Sequence, residues 1–345
     1  MTHLAECTGI TSSFLRVVCG ALVAASLAIA GEPTWDLYEI YVDGKVGFVN
    51  SQGHVVVQPK YDLSFGFRDG CAAVKYGGKY AGKWGYIDAS GKEIIPPRFD
   101  YTEWFAEGLA WVKVDNREGY VDKAGKVSLL PEGCHGRQFS CGLATVECAG
   151  GTGYVNHELE FKIEPQYDHA MTFNDSCLAK VVSGDDHFFI RTDGTPVFHR
   201  EAAGFSENRA WFEQDGKFGF IDTSGSVVIA PRFEEVYFFQ QDRAPAKLNG
   251  LWGFIDSAGK VVVAPVYQEV GRFSNGLAAV KQGKEWGYID TAGAVIVPFR
   301  FDDASWCGPN LCAVKKRGKW GLIDRAGAWV WKPGQKRQLN SPKDP

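Results

Sequence analysis

From residue 47 onward the chain repeats itself every 34 residues. A period of that length restricts it to an array of small supersecondary units, none able to bury its apolar face alone. The recurring word is clearest in Lys83-Trp84-Gly85-Tyr86-Ile87-Asp88, Leu251-Trp252-Gly253-Phe254-Ile255-Asp256, Glu285-Trp286-Gly287-Tyr288-Ile289-Asp290 and Lys319-Trp320-Gly321-Leu322-Ile323-Asp324. Its glycines fall at 47, 85, 119, 153, 219, 253, 287 and 321. The step from 153 to 219 conceals a degenerate unit around Phe188, and the step from 47 to 85 carries four extra residues within 76–82. Nine units result, the last truncated.

Each unit repeats the same events. Trp252 to Asp256 is a short aromatic and β-branched strand, and Asp256-Ser257-Ala258-Gly259 is a turn whose glycine suits a left-handed backbone. Lys260 to Ala264 returns as a second strand, ended by Pro265, which has no N–H for a ladder. A polar segment, 266–273, leads through Asn275-Gly276 into a third strand, 277–281. The 41 glycines, 14% aromatic residues and 2 methionines agree with an all-β, turn-rich chain.

The Trp-Gly word, the aromatic-Ile-Asp strand and the Pro97-Arg98-Phe99-Asp100 sequence resemble the bacterial WG-containing β-repeat family over about residues 36–333. The resemblance implies a repeated scaffold and names no ligand or reaction. Val46, Glu118, Thr152 and Phe218 replace the family's tryptophan, and the unit at Phe188 lacks the word. Trp84, Gly85, Trp252, Gly253, Trp286, Gly287, Trp320 and Gly321 are read as packing residues between repeats. The recurring aspartates, at 88, 122, 222, 256, 290 and 324, are read as turn residues rather than calcium or catalytic carboxylates.

Nine three-stranded units of 34 residues favour a stacked, superhelical, solenoid-like array, because closed propellers are typically built from four to eight larger blades. The closed β-propeller is the alternative. Leu37 to Val42 resembles a third strand and the chain stops after two strands at Trp331, so the termini would then complete one shared blade. Residues 31–334 hold the array and 335–345 form a disordered polar tail. Residues 1–30 read as a cleavable signal peptide: Arg16, a 14-residue apolar run at 17–30, and Ala28-Ile29-Ala30 at its end. That places the mature chain in the periplasm or outside the cell, not integral to a membrane.

A formal net charge of -4 disfavours nucleic acid as a partner. Removing the signal leaves cysteines 71, 134, 141, 148, 177, 307 and 312, an odd number. Cys307 and Cys312 bracket Gly308-Pro309-Asn310 and are the candidate local disulfide. Cys141 has two candidate partners, Cys134 across a reversal and Cys177 in the next unit. Histidines 135, 157, 169, 187 and 199 share this stretch, yet their spacings match no zinc pattern. No phosphate loop, nucleophile elbow or dinucleotide fingerprint occurs, so the sequence supplies no catalytic residue, metal site or cofactor. The expectation is a non-catalytic, exported scaffold for a protein or envelope component, its specificity carried by residues 132–200. The alternative is a glycan or cell-wall module using exposed aromatics.

Overall fold

The computed structural model describes residues 37–332, so the segments read from sequence as a signal peptide and a polar tail lie outside the described residues. The described chain is all-β and forms nine antiparallel sheets, blades I to IX in chain order. Blade VIII shows the pattern: Glu269–Val270, Leu277–Gln282, Glu285–Asp290 and Val295–Phe301, each hydrogen-bonded to the next. We call these the inner, second, third and outer strands.

Two expectations are corrected here. Seven of the nine sheets are four-stranded and only blades I and VI are three-stranded, because in those seven the polar segment before the second strand holds an inner strand, two residues long in four blades, such as Glu269–Val270, and five or six in blades II, IV and IX. A unit counted from Trp-Gly also straddles two blades: its third stretch, Leu277–Gln282, pairs with the next Trp-Gly strand through Val280 opposite Gly287. The second correction concerns shape, since the nine blades close into a propeller instead of stacking as a solenoid. Blades I and IX bury Tyr38, Ile40 and Val49 against Leu311, Leu322 and Trp331. Tyr38 stacks on Trp306 at 6.0 Å, and the Asn310 N–H donates to the Tyr38 hydroxyl at 3.2 Å. Both end blades carry apolar faces that an open stack would leave in water.

The ends meet by face packing and not by completing a shared blade. Leu37–Val42 pairs with Lys45–Asn50, and Trp329–Trp331 pairs with Lys319–Asp324, each within its own sheet.

The motif glycine is imposed by the outer strand. Trp252 faces Tyr267 and Phe254 faces Val263, so Gly253 alone opposes three residues of a bulge. A Cβ on Gly253 would lie 2.8 Å from Pro265 N and 2.9 Å from the Ala264 carbonyl carbon. Gly85 and Gly287 face the same bulge. In blade V, Phe188 occupies the equivalent place opposite Val181; there Phe188 faces His199 and Phe189 faces Phe198 without a bulge, and the side chain fits.

Candidate functional site on the inner wall

The repeated side chains hold the ring together. Arg98, Arg232 and Arg300, from the Pro-Arg-Phe sequences and the equivalent Pro298-Phe299-Arg300, each donate to the carbonyl of the turn glycine in the following blade, Gly125, Gly259 and Gly327. Polar residues after several outer strands cap the next blade's hairpin: Asp62 accepts from Gly78 N at 2.8 Å, Asp302 from Gly318 N at 3.1 Å and Gln268 from Gly283 N at 2.8 Å. Tyr120 and Tyr154, which follow motif glycines, donate to Arg137 and Met171 carbonyls one blade on, at 2.6 and 2.7 Å. The aspartates act as turn residues; Asp256 Oδ1 accepts from Ala258 N and Lys260 N at 3.1 and 2.9 Å.

Turns between inner and second strands form a chain of contacts from blade to blade. Glu107 accepts from Gly142 N at 3.0 Å, Glu207 from Gln241 N at 2.6 Å and Gln241 from Gly276 N at 2.7 Å. Between blades IV and V the link is a disulfide, Cys141 to Cys177, with Cα atoms 5.7 Å apart. Elements of adjacent blades that approach this closely lie nearest the ring's axis. Inner strands therefore form the wall around that axis, each packed on the second and third strands of the preceding blade.

This wall carries the residues that do not repeat. Glu103, Met171, Ala203, Tyr237 and Gly271 occupy one level, fixed by the same N–H bond to the second strand. The following residues, Trp104, Thr172, Gly204, Phe238 and Arg272, form the next level, with Trp306 in blade IX. Phe65, Trp84, Tyr101, Trp104 and Trp111 make the largest ring cluster, with Arg68 over Trp104 at 4.7 Å. Between blades I and II, the Glu39 carboxylate accepts from Tyr41 at 3.1 Å while its buried Oε1 has no partner. Burial pushes this carboxyl up to about 7. Surrounding protein likewise lowers the pKa of the Arg272 guanidinium.

The tryptophans of the word do not form an exposed row. Trp84, Trp252 and Trp286 are 3%, 5% and 5% exposed, each with a lysine from the second strand over its ring, and Trp320 is half-buried. Stacking of sugars on these rings is therefore not available. The large exposed aromatics are tyrosines, foremost Tyr80, 91% exposed on the four-residue insertion of blade II.

Cys307 and Cys312 pair locally across the inner and second strands of blade IX, and Cys134 pairs with Cys148, a partner the sequence did not single out. Cys71 is free and buried. The histidines do not converge: His135 meets Glu118 at 2.8 Å, His157 meets Glu107 at 3.5 Å, and His199 meets Asp186 at 2.8 Å, each at a separate place. Among the described residues no group of three or more His, Cys, Asp or Glu could hold a metal ion. No helix among them is long and apolar enough to cross a membrane.

The WG containing repeat family matches at residues 47–80, 84–117, 153–185, 218–252, 252–286 and 286–320. Among solved structures, one titled a eukaryotic initiation factor is similar at a TM-score of 0.57 with 14% identity, covering 86% of this chain and 89% of that one. Dipeptidyl peptidase 4 of Porphyromonas gingivalis is similar at 0.44 with 7% identity, covering 87% of this chain and 58% of that one. The first likeness supports the fold alone. No characterised protein sequence matches the chain.

Proposed function

Because the chain belongs to the family of WG containing repeats, whose repeated residues here build and staple a ring, we propose that it is an exported, non-catalytic scaffold that binds a protein or envelope component. The observation that carries this reading is a division of labour. Trp, Gly, Arg, Asp and Tyr of the repeats are engaged in bulges, turn caps and blade-to-blade bonds. The inner wall and hairpin tips are free to differ from blade to blade. A rigid frame with variable surface suits recognition of a large partner. Three disulfides suit an oxidising compartment.

Blades IV and V carry the specificity in this proposal, since they break the repeat and hold two of the disulfides. The test is affinity capture by the mature protein from envelope extracts, compared with a variant in which the regular blade VIII sequence replaces blade V, keeping Cys177. A folded variant that captures nothing agrees with the proposal. Undiminished capture removes blade V from the binding surface, and no reproducible capture by the unmodified protein refutes the scaffold reading.

A further inference from the structure

Eight of the nine hairpins between second and third strands turn on two residues; that of blade II, from Tyr76 to Lys83, encloses six. The longer hairpin is braced as a finger. Gly77 and Gly78 take left-handed backbones, φ +94° and +111°, and a Cβ on Gly82 would lie 2.4 Å from the Tyr76 carbonyl oxygen. The Gly82 N–H donates to the Gly78 carbonyl at 2.9 Å, the Gly78 N–H to Asp62 at 2.8 Å, and Lys75 Nζ to the Lys79 carbonyl at 2.9 Å. This bracing presents one large side chain, Tyr80, which is 91% exposed with the Lys79 ammonium 5.9 Å over its ring. An aromatic ring held out in water on a preorganised loop loses little freedom when it docks.

A recess lies beside the finger. Blades II and III leave an open cavity of about 480 Å³ between them, walled by Phe99, Val114, Val127 and Leu129 and edged by Arg98 and Asp115. The outer strand of blade III, Val127–Leu129, ends after three residues where that of blade VII runs for seven, and Leu129 stays 39% exposed. Finger and cavity are neighbours: the Asp100 carboxylate meets Lys83 at the foot of the finger and the Asp115 N–H at the cavity's edge. Tyr80 does not fill the cavity of its own chain, since it stands in solvent. The charges are complementary too. The lysine ion pairs of blades I to III are Lys45–Asp62, Lys83–Asp100 and Lys123–Asp69, which leaves Lys79 and Asp115 without an opposite charge among the described residues. A protrusion next to a recess of opposite charge is self-complementary, because a two-fold axis between them sets each finger into the other copy's cavity.

We propose that blades II and III form a dimer interface, in which Tyr80 of one copy fills the cavity between blades II and III of a second copy and Lys79 pairs with that copy's Asp115. Each inserted ring buries about 150 to 250 Å², well short of the roughly 1,200 Å² at which stable interfaces begin, so the dimer is weak and reversible. It holds or fails independently of the envelope partner. The test is sedimentation velocity of the mature, oxidised protein from about 1 to 200 μM. The mass is expected to rise with concentration toward that of a dimer, and Tyr80→Ala to raise the dissociation constant at least about tenfold with an unchanged denaturation midpoint. Lys79→Glu weakens association as well, and Asp115→Lys added to it restores association, as reciprocal pairing requires. A monomer throughout the range, association that Tyr80→Ala leaves unchanged, or no restoration by the charge exchange overturns the interface. Tyr80-dependent binding of a different protein by a chain that stays monomeric overturns it equally.

Discussion

Replacing Gly253 by Ala tests whether the motif glycine is dictated by the bulge opposite it. The added methyl would meet Pro265 N at 2.8 Å and the Ala264 carbonyl carbon at 2.9 Å. Both are backbone atoms, so no side chain can rotate away; either the bulge opens or the third strand shifts. Overpacking of this kind costs about 1 to 3 kcal/mol. With a urea m-value of about 3 kcal/mol/M, 2 kcal/mol moves the midpoint down by about 0.7 M. Gly250→Ala serves as the control, since nothing lies within 4 Å of its Cβ and only its φ of +77° is strained; about 1 kcal/mol is expected. Far-ultraviolet circular dichroism in urea reads both. The reasoning fails if Gly253→Ala leaves the midpoint unchanged, or costs no more than Gly250→Ala.

Three further outcomes follow from the same contacts. Arg98→Gln, Arg232→Gln and Arg300→Gln each remove a carbonyl bond between blades and should cost about 0.5 to 1 kcal/mol, adding in the triple variant because the sites are far apart; denaturant midpoints check this, and one unchanged in the triple variant contradicts it. Glu39 has a folded pKa raised from 4.5 to about 7, so its neutral form is the one the fold favours: the contribution is complete below pH 4.5 and is lost as pH rises through 7. Glu39→Gln should therefore be the more stable protein at pH 8, by up to about 3 kcal/mol, with the difference fading toward pH 4; thermal midpoints across that range decide it, and a difference independent of pH refutes it. Removing the Cys141–Cys177 bridge, 36 residues apart, should cost about 4 kcal/mol in the chain-entropy account, against about 2 for Cys307–Cys312, five apart; paired Cys→Ser variants in urea, with non-reducing peptide mapping of the parent, measure the order.

The repeat word and the turns were legible because each is local: Trp252-Gly253 and the Asp256 to Gly259 turn lie within one hairpin. The bulge was not, since Pro265, read as the end of the return strand, lies inside Val261–Tyr267, whose register shift opposite Gly253 shows only in the pairing. The inner strand was missed because Glu269–Val270 is two residues long and sits in a polar stretch with no alternation to betray it. Ring closure is not written in any one repeat. The angle between successive blades comes from how an inner strand seats on the preceding blade, which no single unit records. Leu37–Val42 was rightly seen as the kind of strand that precedes a Trp-Gly strand, yet it pairs with its own neighbour, and closure rests on the packing of Tyr38 with Trp306.

Closure of the ring underlies the inner wall, and a crosslink across the seam examines it directly. A Cβ built on Gly53 lies 3.0 Å from the Val330 carbonyl oxygen and 3.1 Å from its Cγ1, although 277 residues separate the two. The variant carrying Gly53→Cys and Val330→Cys, oxidised at low protein concentration, should form an intramolecular bridge that peptide mapping assigns to this pair and that speeds migration on non-reducing gels. Both thiols free in a folded protein, or a bridge that forms only between molecules, would mean that blades I and IX stand apart and the chain is an open array.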